Sequence, residues 1–194
     1  SRRLGAMILP VVVGITGASG AVLGLAVLDL LTRAQVETHL VVSPAAERVL
    51  ALEARLTLAD LDGRATRRWS IDDLAAPIAS GTFRTAGMIV APCSMATVSA
   101  VATSRSGDLL ERAADVTLKE RRPLVLLARE APLHVGHLRL LVSAAEIGAT
   151  ILPPVPAFYA GLTSIADLVE QIAARAIDGL GIDTGTLRRW QGRG

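Results

Sequence analysis

Residues 11–33, VVVGITGASGAVLGLAVLDLLTR, join three local patterns that together indicate the fold class of the chain. Val11–Ile15 is apolar apart from one glycine, which is typical of a strand buried on both faces of a sheet. In Ala21–Arg33 the apolar residues recur every three or four positions, which predicts an amphipathic helix. A glycine-rich turn connects the two. Strand, turn and helix in this order are typical of the first unit of a parallel α/β sheet.

The same alternation of strands and helices continues along the chain, and no internal repeat or linker interrupts it. Apolar runs predict further strands over Val36–Ser43, Met88–Pro92, Pro123–Ala128 and Ala149–Leu152, and an exposed strand is predicted over Ala65–Trp69. Helical spacing predicts further helices over Pro44–Ala54, Ser94–Thr103, Leu109–Glu120, His134–Ile147 and Ser164–Leu180. We therefore predict an α/β fold with a flavodoxin-like (Rossmann-like) doubly wound parallel sheet, in a single domain of three layers.

The predicted domain covers residues 9–192. Residues 1–8 are predicted to form an N-terminal extension, and residues 1–6 precede the first Met, which is compatible with a remnant of an expression vector. The loop Ile71–Arg84, rich in Ala, Ser and Gly, is the longest irregular segment. We predict that this loop is a lid or a binding loop.

The composition narrows the classes of partner. Hydrophobic residues make up 51% of the 194, but the longest uncharged stretch, residues 4–28, is interrupted by a glycine turn, so no membrane span of roughly 20 apolar residues is predicted. This apolar excess indicates an unusually buried sheet or a large subunit interface. The formal net charge is only +2 and aromatic residues are 3% of the chain, so we expect no nucleic-acid surface. The single cysteine, Cys93, excludes an internal disulfide and favours a reducing, cytoplasmic location.

The turn after the first predicted strand, residues 14–20 (GITGASG), is predicted to bind an anion. Free backbone N–H groups and the dipole of the following helix favour a phosphate there. NAD is not the expected ligand, because the third glycine, Gly24, comes one residue late and Ser43 stands where an Asp or Glu would hold the ribose. Tyr159 also lacks a Lys four residues later, so the Tyr-x-x-x-Lys pair of dehydrogenases is missing.

A second turn with short polar side chains, residues 92–97 (PCSMAT), follows the fourth predicted strand. Ser94 and Thr97 offer hydroxyl groups to a phosphate or to a polar ring edge. Helix capping alone would explain Ser94 equally well. With two such turns after neighbouring strands, a mononucleotide such as FMN is a more natural ligand than a dinucleotide.

The region Arg112–Arg139 gathers charged groups around one short apolar strand. Lys and Arg together number 20, and Lys119 is the only lysine, which indicates a place where a compact, titratable ammonium is required. A coding bias towards arginine with one stray lysine would give the same count. Arg129 and Glu130 come directly after the predicted strand, at the edge where α/β sheets place ligands.

Several long runs of the chain resemble the UbiX-type flavin prenyltransferases, formerly described as 3-octaprenyl-4-hydroxybenzoate carboxy-lyases or phenylacrylic acid decarboxylases. The matching runs are GITGASGA (14–21), HLVVSPAAERVLALE (39–53), APIASGTF (76–83), PCSMATVSAVA (92–102), ERAADVTLKERRPLVLLAREAPLH (111–134), GATILPPVPAFY (148–159) and RRWQG (188–192). They extend over essentially the whole chain beyond the first eight residues. Leu74 is a departure, because some members place a Trp before the Ala-Pro-x-Ala-Ser-Gly run.

The resemblance implies a metal-independent transfer of a dimethylallyl group from dimethylallyl monophosphate to N5 and C6 of reduced FMN. FMN is then a substrate, and the prenylated FMN formed is the cofactor of partner UbiD-type decarboxylases. Members of this family are usually dodecamers whose active sites lie between subunits. A homo-oligomer of this kind would explain the apolar excess of the chain.

The resemblance also implies roles for individual residues. The FMN contacts would be Gly17, Ala18, Ser19, Ser43, Ser94, Met95, Ala96, Thr97 and Arg129. The dimethylallyl phosphate contacts would be Lys119, Arg129, Tyr159 and Arg175, with Arg112 near the site. The catalytic residues would be Ser19, Glu53, Lys119 and Glu130. Without the resemblance, Glu53 at the end of a predicted helix would be interpreted as a solvated surface acid.

Two other functions are less well supported by these residues. A flavin-dependent cysteine-type decarboxylase would need a catalytic His after the second strand region, and the positions around Glu53 offer none. A non-catalytic FMN carrier would not need the second phosphate site formed by residues such as Tyr159 and Arg175. His134 and His137 lie three residues apart on a predicted helix, but no Cys or nearby carboxylate completes a ligand set, so no metal site is predicted.

Overall fold

A computed structural model describes residues 9–192, so the extension predicted for residues 1–8 lies outside the described residues. The strands are β1 Val11–Ile15, β2 Thr38–Val42, β3 Arg67–Trp69, β4 Gly87–Cys93, β5 Leu124–Ala128 and β6 Ala149–Ile151. The helices are α1 Ala21–Arg33, α2 Pro44–Val49, α3 Met95–Ala102, α4 Leu109–Lys119, α5 Val135–Glu146 and α6 Ile165–Asp178. Each predicted strand and helix is therefore present. The helix predicted over Pro44–Ala54 is α-helical only to Val49 and then widens into a π-helical turn, Leu50–Ala54.

The six strands form one parallel sheet in the order β3-β2-β1-β4-β5-β6. This order confirms the predicted doubly wound sheet, and it is the order of Rossmann-type sheets. The direction of the connections reverses between β1 and β4, so a crevice opens at the carboxyl ends of these two strands. Ligands of open α/β sheets bind in such a crevice.

Alternate residues of the central strands face two separate apolar layers, which confirms the three-layer prediction. Val13 of β1 and Val125 of β5 pack with residues of α1 and α6 on one face. Val12 and Val90 face the opposite layer, formed by residues of α3, α4 and the loop before β4. Burial on both faces explains why the central strands β1 and β5 are almost continuously apolar. Within residues 9–192, no helix is long and apolar enough to cross a membrane.

The loop Ile71–Arg84, predicted as a lid or a binding loop, is fastened to its neighbours. Arg112 Nε of α4 donates a hydrogen bond to the carbonyl of Ala79 at 3.1 Å. Arg122 Nη2 donates to the carbonyl of Gly81 at 2.6 Å. Because two guanidinium groups hold its backbone and two of its apolar side chains are buried, the loop forms a fixed wall over the α4 face of the sheet.

Candidate active site

Thr16 connects the two turns that the sequence predicts as nucleotide-binding. Its Oγ1 donates a hydrogen bond to the carbonyl of Pro92 at 2.8 Å and accepts one from the N–H of Ser94 at 2.8 Å. The Thr16 side chain lies at the carboxyl end of β1, is buried, and joins residues 76 and 78 positions away. The turns after β1 and β4 therefore form one structural unit at the switch point of the sheet.

The first turn presents backbone donors at the mouth of the crevice. Within residues 9–192, no protein group accepts a hydrogen bond from the N–H groups of Gly17, Ala18 or Ser19. Gly17 cannot carry a side chain here, because a Cβ would lie 2.4 Å from the Cβ of Ala45. This close approach of the turn to α2 leaves its N–H groups free for an anion or for a polar ring edge.

The second turn is a helix cap as well as a candidate binding surface. Ser94 Oγ accepts a hydrogen bond from the N–H of Thr97 at 3.3 Å and lies 3.1 Å from Thr97 Oγ1. The capping explanation of Ser94 is therefore confirmed. The cap leaves the first N–H groups of α3, those of Met95 and Ala96, without helical partners, as at every helix start. Ser43 caps α2 in the same way, accepting from the N–H of Ala46 at 3.2 Å.

Glu53 belongs to the π-helical turn after α2, and its side chain reaches the start of α1, so it is not an isolated surface acid. Its Oε2 accepts hydrogen bonds from the N–H groups of Gly20 at 2.8 Å and Ala21 at 3.2 Å. Partial burial alone would raise the pKa of this carboxyl. Hydrogen bonds from Ser19, Gly20 and Ala21 and the charge of Arg129 outweigh burial and lower the pKa below its ordinary value. Glu53 is thus an anion at neutral pH, and it occupies the helix start that the sequence assigns to a ligand phosphate.

Arg129 and Glu130 leave the end of β5 beside the second turn. The N–H of Arg129 donates a hydrogen bond to the carbonyl of Cys93 at 3.0 Å. The positive charge of its guanidinium contributes to the lowered pKa of Glu53. The structure therefore brings Ser19, Glu53 and Arg129 together at the switch point. Glu130 is exposed, and its Oε1 accepts from the N–H of Ala131 at 3.1 Å. Cys93 is fully buried, and burial raises the pKa of its thiol, so it has the properties of a small core residue.

Tyr159 and Arg175 line a separate cavity of about 160 Å³. Arg175 lies on α6, and its Nη1 is 3.0 Å from Oδ2 of Asp178. Tyr159 lies in a short 3-10 turn, Phe158–Ala160, after β6. Gln171 and Arg188 line the same cavity. The sequence predicts no role for either residue. Gln171 lies in an ordinary helical pattern, and Arg188 belongs to a run that resembles the family but implies no contact.

Lys119 lies away from both of these groups within one chain. It ends α4, and its Nζ is 2.6 Å from Oε1 of Glu120. Glu120 lines a cavity with Arg84, Thr85 and Arg122, which directly precede strands β4 and β5. Lys119 is therefore at the amino edge of the sheet, whereas the two turns are at the carboxyl edge. Arg112, seven residues earlier on α4, donates hydrogen bonds to Asp115 and to the carbonyl of Ala79 in the loop before β4.

The His134 and His137 rings stack with their centroids 3.6 Å apart. His134 Nδ1 accepts hydrogen bonds from the N–H groups of Gly136 and His137, so it caps α5. In the part of the chain that the structure describes, no group of three or more His, Cys, Asp or Glu residues is arranged to hold a metal ion.

Comparison with known proteins gives the same family over most of the chain. The Flavoprotein family model matches residues 6–177. The flavin prenyltransferase UbiX of Thauera aromatica is 51% identical over 182 residues, which are 94% of this chain and 94% of that protein.

Two solved structures are similar in fold and in sequence. One is AnUbiX (PadA1) in complex with FMN and dimethylallyl pyrophosphate, with 47% identity and a TM-score of 0.92, covering 96% of this chain and 100% of that one. The other is a dodecameric FMN-dependent UbiX-like decarboxylase from Escherichia coli O157:H7, with 43% identity and a TM-score of 0.90, covering 95% and 100%.

Proposed function

This chain belongs to the Flavoprotein family and, within it, to the UbiX-type flavin prenyltransferases, and we propose that it transfers a dimethylallyl group from dimethylallyl monophosphate to N5 and C6 of reduced FMN. FMN is a substrate in this reaction, and no metal takes part. The observation that carries the proposal is the pair of turns joined by Thr16, with Glu53 and Arg129 beside them. A solved relative in complex with FMN and dimethylallyl pyrophosphate supports FMN and a dimethylallyl phosphate ester as the substrates.

The residues at the switch point suit a flavin mononucleotide. Bound reduced FMN supplies the nucleophilic ring atoms that receive the dimethylallyl group. The N–H groups of Gly17–Ser19, the hydroxyl groups around Ser94 and the start of α3 offer donors, and Arg129 supplies a cation. Ser43, at the end of β2, and Met95, buried in α3, complete the proposed contacts. The site holds hydrogen-bond donors for a phosphate and for polar ring edges, which is what FMN requires.

The donor phosphate fits the cavity lined by Tyr159 and Arg175. A phosphate accepts hydrogen bonds from a phenol and from a guanidinium, and the latter bonds are charge-assisted. Negative charge grows on this phosphate as it leaves, so preorganised donors stabilise the transition state more than the bound substrate. We assign Lys119 to the same phosphate from a neighbouring copy, since within one chain it lies at the opposite edge of the sheet. A dodecameric relative supports such a site between subunits.

Proton transfer is assigned to Glu53 and Glu130. Ring closure at flavin C6 releases a proton, and a carboxylate within reach must accept it. Glu53 is ionised before the reaction, because its pKa is held below the ordinary value, so its carboxylate is available to accept a proton. The Ser19 hydroxyl lies beside Glu53 and contributes to its lowered pKa, so it is placed to steer the flavin or relay the proton. Glu130, exposed at the end of β5, is the second carboxylate near the reacting atoms.

The product, prenylated FMN, is proposed to serve a UbiD-type decarboxylase. We also propose a cytoplasmic location, because the single cysteine is buried as a free thiol and a reducing compartment preserves it.

Replacement of Glu130 tests the catalytic assignment. We expect Glu130→Gln to bind FMN as the wild type does and to lose formation of the prenylated flavin, since an amide has the shape of the carboxyl but accepts no proton. Binding is followed by flavin fluorescence and turnover by the mass of the extracted flavin. Glu37→Gln, an exposed position directly before β2 at the amino edge of the sheet, is the matched control and keeps full turnover. Unchanged turnover in Glu130→Gln would remove Glu130 from the mechanism.

A further inference from the structure

The segment that follows α6 folds back along that helix and is fixed by a buried side chain. Gln171 of α6, only 7% exposed, donates from Nε2 to the carbonyl of Thr186 at 2.9 Å. Its Oε1 accepts from the N–H of Arg188 at 2.8 Å. One amide therefore makes two hydrogen bonds to residues 186 and 188, which sets the position of this segment beside the cavity of Tyr159 and Arg175.

The same segment holds the turn that carries Tyr159. Arg188 Nη1 donates to the carbonyl of Ala160 at 2.7 Å and to that of Gly161 at 3.4 Å. The Trp190 ring lies edge-on to the Tyr159 ring, with centroids 5.5 Å apart and an interplanar angle of 73°. Edge-to-face aromatic pairs of this geometry are attractive. Arg188 thus fixes the backbone after Tyr159 and Trp190 contacts its ring, although the turn is exposed.

Arg175 is tied to the segment through Asp178. Asp178 Oδ2 is 3.0 Å from Arg175 Nη1, and its Oδ1 accepts a hydrogen bond from Arg189 Nη2. The hydrogen bond from Arg189 lowers the pKa of Asp178, so this carboxyl stays ionised at neutral pH. Two guanidinium groups share one carboxylate, which leaves a net positive charge beside the cavity.

We propose that residues 186–190, named here the Thr186–Trp190 strap, position Tyr159 and Arg175 for the phosphate of the dimethylallyl donor. Trp190 is a positioning residue that acts through Tyr159, and Arg188, which also lines the cavity, holds the turn that carries Tyr159. The proposal rests on the proposed function and adds the device that orders its donor site. Tyr159 is 57% exposed, so without the strap its ring would be free to change rotamer. Part of the binding free energy of the phosphate would then be lost in ordering the phenol, which weakens the affinity for dimethylallyl monophosphate.

Kinetics of strap variants test this proposal. We expect Trp190→Ala to raise the KM for dimethylallyl monophosphate by about 2- to 10-fold, the range of an aromatic pair, with FMN affinity unchanged. Trp190→Phe retains a ring and should keep the wild-type KM. Arg188→Gln should raise the KM in the same way, because it releases the carbonyl of Ala160. Arg33→Gln, which breaks an exposed pair with Glu170 elsewhere on the surface, is the matched control.

Fluorescence gives a readout that does not need turnover. Of the two tryptophans, Trp69 and Trp190, only Trp190 contacts Tyr159. Adding dimethylallyl monophosphate to the FMN-bound protein should change tryptophan emission in the wild type and in Trp69→Phe, but not in Trp190→Phe. An unchanged KM in both Trp190→Ala and Arg188→Gln, in a wild type that turns over, would overturn the strap and leave the proposed function intact. Failure of the wild type to prenylate FMN would overturn the proposed function instead.

Discussion

At the scale of single residues, Thr16 is the buried contact on which the flavin site depends. Its hydroxyl satisfies the carbonyl of Pro92 and the N–H of Ser94 at once. A buried polar group left without a partner costs about 1–3 kcal/mol. The spacing between the two turns is therefore set by the side chain of Thr16. The residues around Thr16 in the sequence do not indicate this role.

Replacement of Thr16 tests this contact. We expect Thr16→Val to weaken FMN binding by about 10-fold or more, since roughly 1.4 kcal/mol corresponds to 10-fold in affinity. Thr16→Ser keeps the hydroxyl and should restore most of the affinity. Titration of flavin fluorescence measures the Kd of each variant. Equal Kd values for Thr16→Val and the wild type would show that the two turns do not depend on this bridge.

The state of Glu53 leads to a prediction about pH. Its pKa lies below the ordinary value in the folded protein, so its charge is present at neutral pH and is lost only as the pH falls through the lowered pKa. We expect protonation of Glu53 to appear only in the acidic limb of kcat/KM, below the ordinary glutamate range. Glu53→Gln should lower kcat at all pH values and remove that limb. If that limb of the wild type lies near neutral pH, Glu53 is not the ionised base proposed here.

The sequence could indicate these residues only where they belong to a local pattern. Ser94 was recognisable as a cap because it directly precedes a helical pattern. The bond from Thr16 to Pro92 spans 76 positions and leaves no periodic trace. Glu53 likewise has no local signal for its contact with Gly20, because that contact depends on how α2 and its π-helical turn are placed beside the start of α1.

At the scale of secondary-structure elements, α1 packs unusually closely on β4, and Gly24 makes this possible. A Cβ at Gly24 would lie 2.4 Å from the carbonyl oxygen of Ala91 and 2.9 Å from side-chain atoms of Ile15. Gly24 was discounted as the third glycine of a dinucleotide turn because it comes one residue late. In the structure Gly24 nevertheless allows the close helix–strand packing that the third glycine of such a turn allows.

Alanine substitutions of two glycines test the packing of α1. Gly24→Ala is expected to lower the free energy of unfolding by about 1–3 kcal/mol, because the added methyl forces α1 away from β4. Gly63→Ala is the matched control, since a Cβ there meets nothing within 4 Å. Urea unfolding compares the two variants. Equal stability of Gly24→Ala and the wild type would contradict the close approach.

The ends of elements were less predictable than their existence. The second strand was predicted from Val36 but begins at Thr38. The N–H of Val36 donates to the carbonyl of Leu31, so this residue completes the end of α1, and Gln35 adopts a positive φ of 57° there. An apolar residue that seals a helix end cannot be distinguished by its pattern from the first residue of a strand.

At the scale of the whole molecule, the chain leaves large apolar side chains exposed in two regions. Val135, Leu138 and Val142 are exposed on α5, and Phe158 and Ile165 are exposed near the Tyr159 turn. Exposed apolar residues gathered in this way are typical of protein interfaces. Together with the place of Lys119 at the amino edge of the sheet, they support an active site that is complete only between copies.

Mixed oligomers test whether Lys119 acts on a neighbouring copy. Lys119→Met and Glu130→Gln are each expected to be inactive alone. If Lys119 of one copy joins Glu130 of another, oligomers assembled from both variants contain some sites with both native residues, and activity returns. Prenylated flavin is measured after co-expression, with each variant expressed alone as the control. Absence of any recovery in confirmed mixed oligomers would place Lys119 and Glu130 in the same copy.

The most direct test of the central claim is the mass of the flavin after reaction. The purified protein is incubated without oxygen and without added metal, with reduced FMN and dimethylallyl monophosphate, and the extracted flavin is analysed by mass spectrometry. A parallel incubation contains dimethylallyl diphosphate instead. We predict a flavin heavier by one C5 unit with the monophosphate. Unmodified FMN in both incubations, from protein that binds FMN, would contradict the assignment as a flavin prenyltransferase.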